Sequence, residues 1–133
     1  MQNIKALSLQ SSKKGVIGAV IAIIILTILE FPAPIGFETR SQNNVSMGWL
    51  LFFLTIVATE IATIPLVLKK PTLGRLFGIV AGALNILQVI ADQLHLMQPE
   101  VAPLSYSLLE YSVVFVSVVL IYFSSKVRDN TYV

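Results

Sequence analysis

Four hydrophobic segments, each about long enough to cross a bilayer, constrain this chain more than any other feature. They cover approximately residues 15–31, 47–68, 73–94 and 104–125. About 20 helical residues, at about 1.5 Å each, cross a hydrocarbon core roughly 30 Å thick. With 56% hydrophobic and only 12% charged residues, the chain needs lipid to cover its apolar surface. The sequence therefore predicts an all-α fold, an integral membrane four-helix bundle.

Prolines and polar residues separate the four segments. Pro32 and Pro34 end the first helix near Phe31, because proline lacks an N–H and clashes with the preceding turn. A cleaved secretory signal is the alternative for this first segment, but no A-x-A-like cleavage site follows it. The loops are too short to fold independently. We therefore predict a single membrane domain over residues 1–133 with antiparallel, up-down helices.

Lysine and arginine residues determine the predicted orientation. An even number of spans puts both termini and the second loop on the same side of the membrane. That side carries Lys5, Lys13, Lys14, Lys69, Lys70, Arg75, Lys126 and Arg128. Only Arg40 lies on the other side. Because basic loops stay in the cytoplasm, we predict a multi-pass protein of the cytoplasmic (inner) membrane, with both termini inside the cell.

Acidic and amide side chains within these segments form the candidate polar core. Counting about 1.5 Å per residue along each helix puts Glu30, Gln88 and Glu110 in one layer near the outer surface. The same count puts Asp92 at the outer boundary and leaves Glu60 alone in the core. Ionisable side chains at membrane depth usually face a bundle interior, a partner or a water-filled path. These residues are therefore the candidate ligand or proton site.

Two helices carry polar stripes. The third-helix stripe consists of Asn85, Gln88 and Asp92. The fourth-helix stripe consists of Ser107, Glu110 and Ser117. Spacings of three, four or seven residues place side chains on one helix face, and a polar face inside a membrane should lie against protein. We therefore expect the two stripes to oppose each other.

The acidic residues of the candidate site can be interpreted either structurally or functionally. Glu30 and Glu110 are either hydrated helix-end carboxyls or part of a small outward-facing pocket. Such a pocket would hold a cation, a proton or the polar head of an apolar ligand. Glu60 either donates, in its protonated form, a structural hydrogen bond to its surroundings or couples to a proton or ligand. The sequence alone leaves these alternatives open.

Glycines recur every four residues along the third segment, at Gly74, Gly78 and Gly82. A face of small residues at this spacing lets another membrane helix approach closely. We therefore predict a helix-packing face. Its neighbour is either the second helix of the same chain or a helix of another subunit.

Motifs of catalysis, metal binding and nucleotide binding are absent from the sequence. It has no cysteine, no HExxH pair, no GxSxG elbow and no Walker-type phosphate loop. Its one histidine, His95, lies in a predicted outer loop. We therefore predict no catalytic residues, no metal, no cofactor and no nucleic-acid partner, and we favour a protein that is not an enzyme.

Short stretches of the second to fourth segments resemble the small DoxX-like four-helix membrane proteins of bacteria. They are Thr59-Glu60-Ile61, Leu68-Lys69-Lys70, Arg75, the run from Gly78 to Asn85, and Leu109-Glu110-Tyr111. The resemblance implies four antiparallel helices. Because some members of that group are linked to quinone-associated redox systems, it also implies a quinone or another apolar ligand as a partner. It supplies no catalytic residues.

The sequence favours a small accessory or apolar-ligand-binding membrane protein. One alternative is a proton-coupled transporter of apolar or cationic molecules, working as a homodimer around Glu60 or around the Glu30 and Glu110 layer. Another is an obligate subunit of a larger membrane complex, in which Glu60 and the glycine face meet another chain. The expected partners are therefore the lipid bilayer, an apolar ligand, and a second copy or another membrane chain.

Overall fold

The computed structural model describes residues 2–32, 35–36, 38 and 45–128. Within these residues the chain forms helices α1 (Gln2–Leu29), α2 (Met47–Lys69), α3 (Pro71–Gln93) and α4 (Leu104–Lys126). The predicted limits of the last three segments agree with these bounds to within two residues. Arg40, the basic residue assigned to the outer side, lies outside the described residues, as do residues 39–44 around it. The predicted all-α fold with four packed apolar helices is confirmed.

Helix α1 is longer than the first hydrophobic segment. The prediction began it at about residue 15, whereas the helix begins at Gln2. Only its Gln10–Leu29 part is long and apolar enough to cross a membrane. The preceding residues contain no glycine or proline, the two residue types that most disfavour a helix. Hydropathy therefore located the membrane-crossing part of α1 but not the start of the helix.

Local interactions explain where the other helices begin and end. Ser46 Oγ accepts a hydrogen bond from the backbone N–H of Trp49 at 3.3 Å and so caps the start of α2. Lys70 alone separates α2 from α3, which begins at Pro71, a residue well suited to the first turn of a helix. Beyond the end of α3, His95 adopts a positive φ of 57°. This left-handed residue reverses the chain, as at many helix ends.

The four helices pack in a ring: α1 contacts α2 and α4, and α3 contacts the same two helices. The apolar core includes Val16, Val20 and Ile23 of α1, which join Val67 of α2 and Leu120 of α4. Ring packing brings the ends of all four helices together, and this positions the candidate site described below.

The glycine face of α3 packs against both neighbours within the same chain. A Cβ at Gly74 would overlap the backbone of Val67 on α2, and a Cβ at Gly82 would lie 2.9 Å from the backbone oxygen of Ser117 on α4. Gly78 lies between these two contacts on the same face. The face that the sequence assigned either to this chain or to another subunit is therefore used inside the chain, and it sets the distance between helices.

Around the apolar core, the helices expose many large apolar side chains, and several polar side chains are buried inside the bundle. Large apolar residues at least 47% exposed include Ile21, Leu54, Ile61, Leu87 and Phe115. Glu60, Asn85 and Ser117, by contrast, are each no more than 4% exposed. Each of the four described helices is also long and apolar enough to cross a membrane, which indicates a small multi-pass membrane protein.

Candidate functional site

An outer cavity of about 360 Å³ lies where the ends of the helices meet. We call it the outer cavity because it lies on the predicted external side. Its wall includes Glu30 just after α1, Trp49 near the start of α2, Gln88 in the last part of α3 and Tyr106 near the start of α4. All four helices therefore contribute to one site, although the residues are far apart in sequence.

The wall of this cavity is mainly apolar, with a few polar groups. Eight of the thirteen described residues that line it are apolar or aromatic. Two carboxyls, Glu30 and Glu38, and two amides, Gln88 and Gln98, line it as well. No lysine or arginine is among the described residues of the wall. Small-molecule sites commonly combine an apolar wall with a few placed polar groups.

Glu38 reaches the cavity from the loop between α1 and α2. Its side chain is only 3% exposed, and its backbone N–H donates to the backbone oxygen of Phe31 at 3.2 Å. This contact folds the loop back over the end of α1. The prediction missed Glu38 because depth counting considered only the four hydrophobic segments.

A second set of polar side chains lies around Glu110. Gln93 Nε2 donates a hydrogen bond to Glu110 Oε2 at 2.5 Å. Asp92 is a further hydrogen-bonding partner of Glu110, and Glu30 is close enough to act on Glu110 electrostatically. The structure thus corrects the separation of Asp92 from the outer layer. The structure also places Gln93 beside Glu110. The sequence could have indicated this residue, because Gln93 is a polar residue next to Asp92.

Glu60 has an amide partner in the core that depth counting did not predict. Asn85 Nδ2 of α3 donates to Glu60 Oε1 at 2.5 Å and also to the backbone oxygen of Ala81 at 3.0 Å. Depth counting put Asn85 and Glu60 at different heights. It neglected the packing of α2 against α3 and the reach of a glutamate side chain, which together bridge an offset of about one helical turn, roughly 5 Å.

Three hydroxyl side chains of α2 and α4 are buried as deeply as the Glu60–Asn85 pair. Thr63, Ser117 and Ser124 are each 0% exposed. Thr63 Oγ1 donates to a backbone oxygen of its own helix at 2.8 Å. The Oγ atoms of Ser117 and Ser124 have no hydrogen-bond partner within the described part of the chain. We call these five residues the polar seam: Glu60, Thr63, Asn85, Ser117 and Ser124.

The two predicted stripes therefore do not simply oppose each other. On the third-helix stripe, Asn85 contacts α2, Gln88 lines the outer cavity and only Asp92 meets Glu110 of α4. Residues on one helix face lie at different heights, so each meets a different neighbour. Glu60 and the glycine face, the features that suggested contact with another chain, are both engaged inside this one.

Neither a comparison with known proteins nor a grouping of metal-binding side chains assigns a function to the described residues. No protein family matches the chain, and neither a curated protein nor a solved structure is detectably similar to it. Among the described residues, no three histidine, cysteine, aspartate or glutamate side chains are grouped so that they could hold a metal ion. The outer cavity and the polar seam are thus the two features from which a function can be argued.

Proposed function

We propose that the chain is an accessory protein of a bacterial cytoplasmic membrane that binds an apolar ligand in the outer cavity. The volume of about 360 Å³ falls within the range of roughly 300–1,000 Å³ typical of small-molecule sites. The mainly apolar wall suits an apolar ligand, and the few polar side chains would orient it. This combination is the observation that carries the proposal.

The proposal includes antiparallel helices with both termini in the cytoplasm. The single residue between the packed helices α2 and α3 supports antiparallel neighbours. The basic residues near the termini and around Lys70 support the orientation. Reporter enzymes that are active on only one side of the membrane, fused to each terminus, test it. Activity of either fusion outside the cell would contradict it.

The resemblance to DoxX-like proteins suggests a quinone as one ligand of this kind. A quinone has a flat apolar ring with two carbonyl oxygens, which accept hydrogen bonds. The amide groups of Gln88 and Gln98 in the cavity wall supply suitable donors. A quinone therefore fits the chemistry of the cavity, and it remains a proposal.

Ligand binding is expected to change the fluorescence of Trp49. This residue is the only tryptophan of the chain, and it lines the cavity. A brominated ligand in the cavity should quench it, because a heavy atom in contact with indole promotes non-radiative decay. Titrating the purified full chain with neopentyl-bromobenzene, a neutral apolar probe, should give saturable quenching.

A double variant controls for probe dissolved in the detergent or lipid. Trp49→Phe with Phe115→Trp moves the fluorophore to the lipid-facing surface, where Phe115 is 70% exposed. Quenching of this variant should rise with probe concentration without saturating. If Trp49 in the wild type shows the same non-saturating response, the cavity binds no such ligand and the proposed function is wrong.

Proton-coupled transport is a second candidate, favoured by the polar seam. The seam adds three fully buried hydroxyl groups to the Glu60–Asn85 pair, and buried polar groups at membrane depth often mark the path of a proton or ion. If the chain transports its ligand, pH-driven uptake into proteoliposomes should be lost in Glu60→Gln and kept in Glu100→Gln, which changes an exposed loop residue. Wild-type protein without pH-driven uptake, or an active Glu60→Gln variant, would exclude this role for Glu60.

A further inference from the structure

A second binding site lies at the inner end of the bundle, the end opposite the outer cavity. We propose that an anionic phospholipid binds there in the inner groove, the surface groove where α1 and α4 pack together. Its phosphate group would lie at Lys14 and Lys126, and its acyl chains would follow the apolar faces of the two helices. This site is separate from the outer cavity and does not depend on the ligand proposed there.

Close contacts between helices bring four helix segments together at the inner end. A Cβ at Gly15, near the start of the membrane-crossing part of α1, would lie 2.5 Å from the ring of Phe123 near the end of α4. A Cβ at Gly78, in the first half of α3, would lie 3.1 Å from Cβ of Ser124 on α4. It would also lie 3.5 Å from Cγ2 of Thr63, in the second half of α2. The end of α4 therefore lies beside the start of the span of α1, the end of α2 and the start of α3.

Basic side chains surround this inner end. The described ones are Lys13, Lys14, Lys69, Lys70, Arg75, Lys126 and Arg128. All of them except the half-buried Lys13 are exposed. The described acidic residues lie elsewhere: Glu60 is in the middle of α2, and the others are in the outer loops or the outer halves of the helices. Asp129, the one acidic residue that follows Arg128, lies outside the described residues and can neutralise a single charge. The inner end therefore keeps a large excess of positive charge, which attracts anionic headgroups.

Aromatic rings hold the side chain of Lys126 at the inner groove. Its Nζ lies 5.4 Å from the centroid of the Tyr122 ring, and that ring packs edge to face with Phe123, with centroids 5.5 Å apart. Phe123 in turn contacts Gly15 of α1, the residue that follows Lys14. An ammonium group has three donors, so it can bind a phosphate oxygen while one side rests on a ring. Lys14 and Lys126 thus lie on the two sides of one groove.

Exposed apolar faces continue from both lysines along their helices. On α4 the face that leads to Lys126 consists of Phe115, Val118 and Tyr122. On α1 the face that begins at Lys14 consists of Gly18, Ile21 and Ile25. All six residues are exposed, and spacings of three or four residues put each set on one side of its helix. Each face extends about 16 Å from its lysine, roughly the depth of one leaflet. Acyl chains can cover such faces, whereas a free phosphate ion cannot, so the pattern favours a phospholipid.

Competition between lipids for a tryptophan reporter tests the site. Tyr122→Trp combined with Trp49→Phe replaces the only tryptophan of the chain with one beside Lys126. The full chain is reconstituted in brominated phosphatidylcholine, which quenches the reporter, and an unbrominated competitor restores the emission. Phosphatidylglycerol should bind at least about fivefold more tightly than phosphatidylcholine. A Leu104→Trp reporter in the Trp49→Phe background, at the outer end of α4 where Leu104 is 76% exposed, should show less than about a twofold preference.

Paired variants separate a site in the inner groove from a general attraction to the basic end. Lys14→Gln with Lys126→Gln should reduce the preference at the Tyr122→Trp reporter to less than about twofold. Lys69→Gln with Lys70→Gln removes the same charge from the same end, at the turn between α2 and α3, and should leave more than about a threefold preference. Lys14→Arg with Lys126→Arg keeps both charges and should keep the preference.

Three outcomes would overturn the site. Equal losses in the two glutamine pairs would show that the charge of the whole inner end attracts the lipid, without a site in the inner groove. Equal affinities for the two lipids at the Tyr122→Trp reporter would show that no anionic lipid is selected there. Sodium phosphate and sodium chloride at the same ionic strength should weaken the preference equally, through screening. A larger loss in sodium phosphate would assign the two lysines to a free phosphate ion.

Discussion

Replacing Gly82 with leucine is expected to lower the free energy of unfolding by about 3 kcal/mol, the upper end of the usual cost of overpacking a core. A Cβ at this position would lie 2.9 Å from the backbone oxygen of Ser117 and 2.7 Å from Cγ1 of Ile121. A backbone atom cannot rotate away, so α3 and α4 must separate. The measurement is unfolding in mixed micelles with increasing sodium dodecyl sulfate, followed by circular dichroism.

Gly18→Leu is the matched control, because it makes the same change in another membrane helix. A Cβ at Gly18 would have no heavy atom within 4 Å among the described residues outside its own local backbone. Leucine also favours a helix more than glycine does, by roughly 1 kcal/mol in the interior. Gly18→Leu should therefore be neutral or slightly stabilising. Equal losses in both variants would show that leucine acts through the lipid-facing surface and that α3 does not pack closely against α4.

The second large effect is expected where α2 and α3 share a buried hydrogen bond. Asn85→Leu should cost about 2 kcal/mol, because it leaves the buried carboxyl of Glu60 without the amide that donates to it. Glu60→Leu should cost less, about 1 kcal/mol, because Asn85 keeps its bond to the backbone oxygen of Ala81. The double variant should be more stable than the sum of the two losses predicts. When both partners are replaced by leucine, neither position leaves a buried polar group without its hydrogen-bond partner.

The same detergent titration measures this cycle, with Ala83→Leu as the control. Ala83 is exposed on α3, two residues from Asn85, so enlarging it should change the free energy of unfolding by less than about 0.5 kcal/mol. A coupling energy of about 0.6–1.7 kcal/mol between Glu60 and Asn85 would match interhelical hydrogen bonds in other membrane proteins. Strictly additive losses would mean that the two side chains do not interact.

Many residues of the candidate site could be predicted from the sequence, but not which of them contact one another. Glu30 and Gln88 were predicted at one depth, and they line one cavity. Depth counting failed for Asp92, which belongs with Glu110, and for Glu60, which pairs with Asn85. It treats each helix as a separate straight rod. Contacts between side chains depend also on rotation, tilt and register, which no residue count contains.

The cavity itself could not be predicted from the hydrophobic segments. Glu38 lies in a loop between two spans, and nothing in its sequence context indicates a buried carboxyl. Trp49 could be recognised only as an aromatic residue near the end of a span, a common place for tryptophan at the membrane surface. The two residues line the same space because the loop folds back over the end of α1, where the backbone of Glu38 bonds to that of Phe31.

The sequence by itself determined the number of apolar helices and most of their limits, because hydropathy is a local property that adds up along the chain. Helix-breaking prolines such as Pro32 and Pro71 marked the helix limits, because the effect of a proline on a helix is also local. Only the tertiary structure decided which acid meets which partner: Glu60 with Asn85, Asp92 with Glu110, and Glu30 with Glu38 around one cavity. These pairings follow from how closely the glycine face lets the helices approach and how they are turned toward one another, and both result from packing the whole bundle.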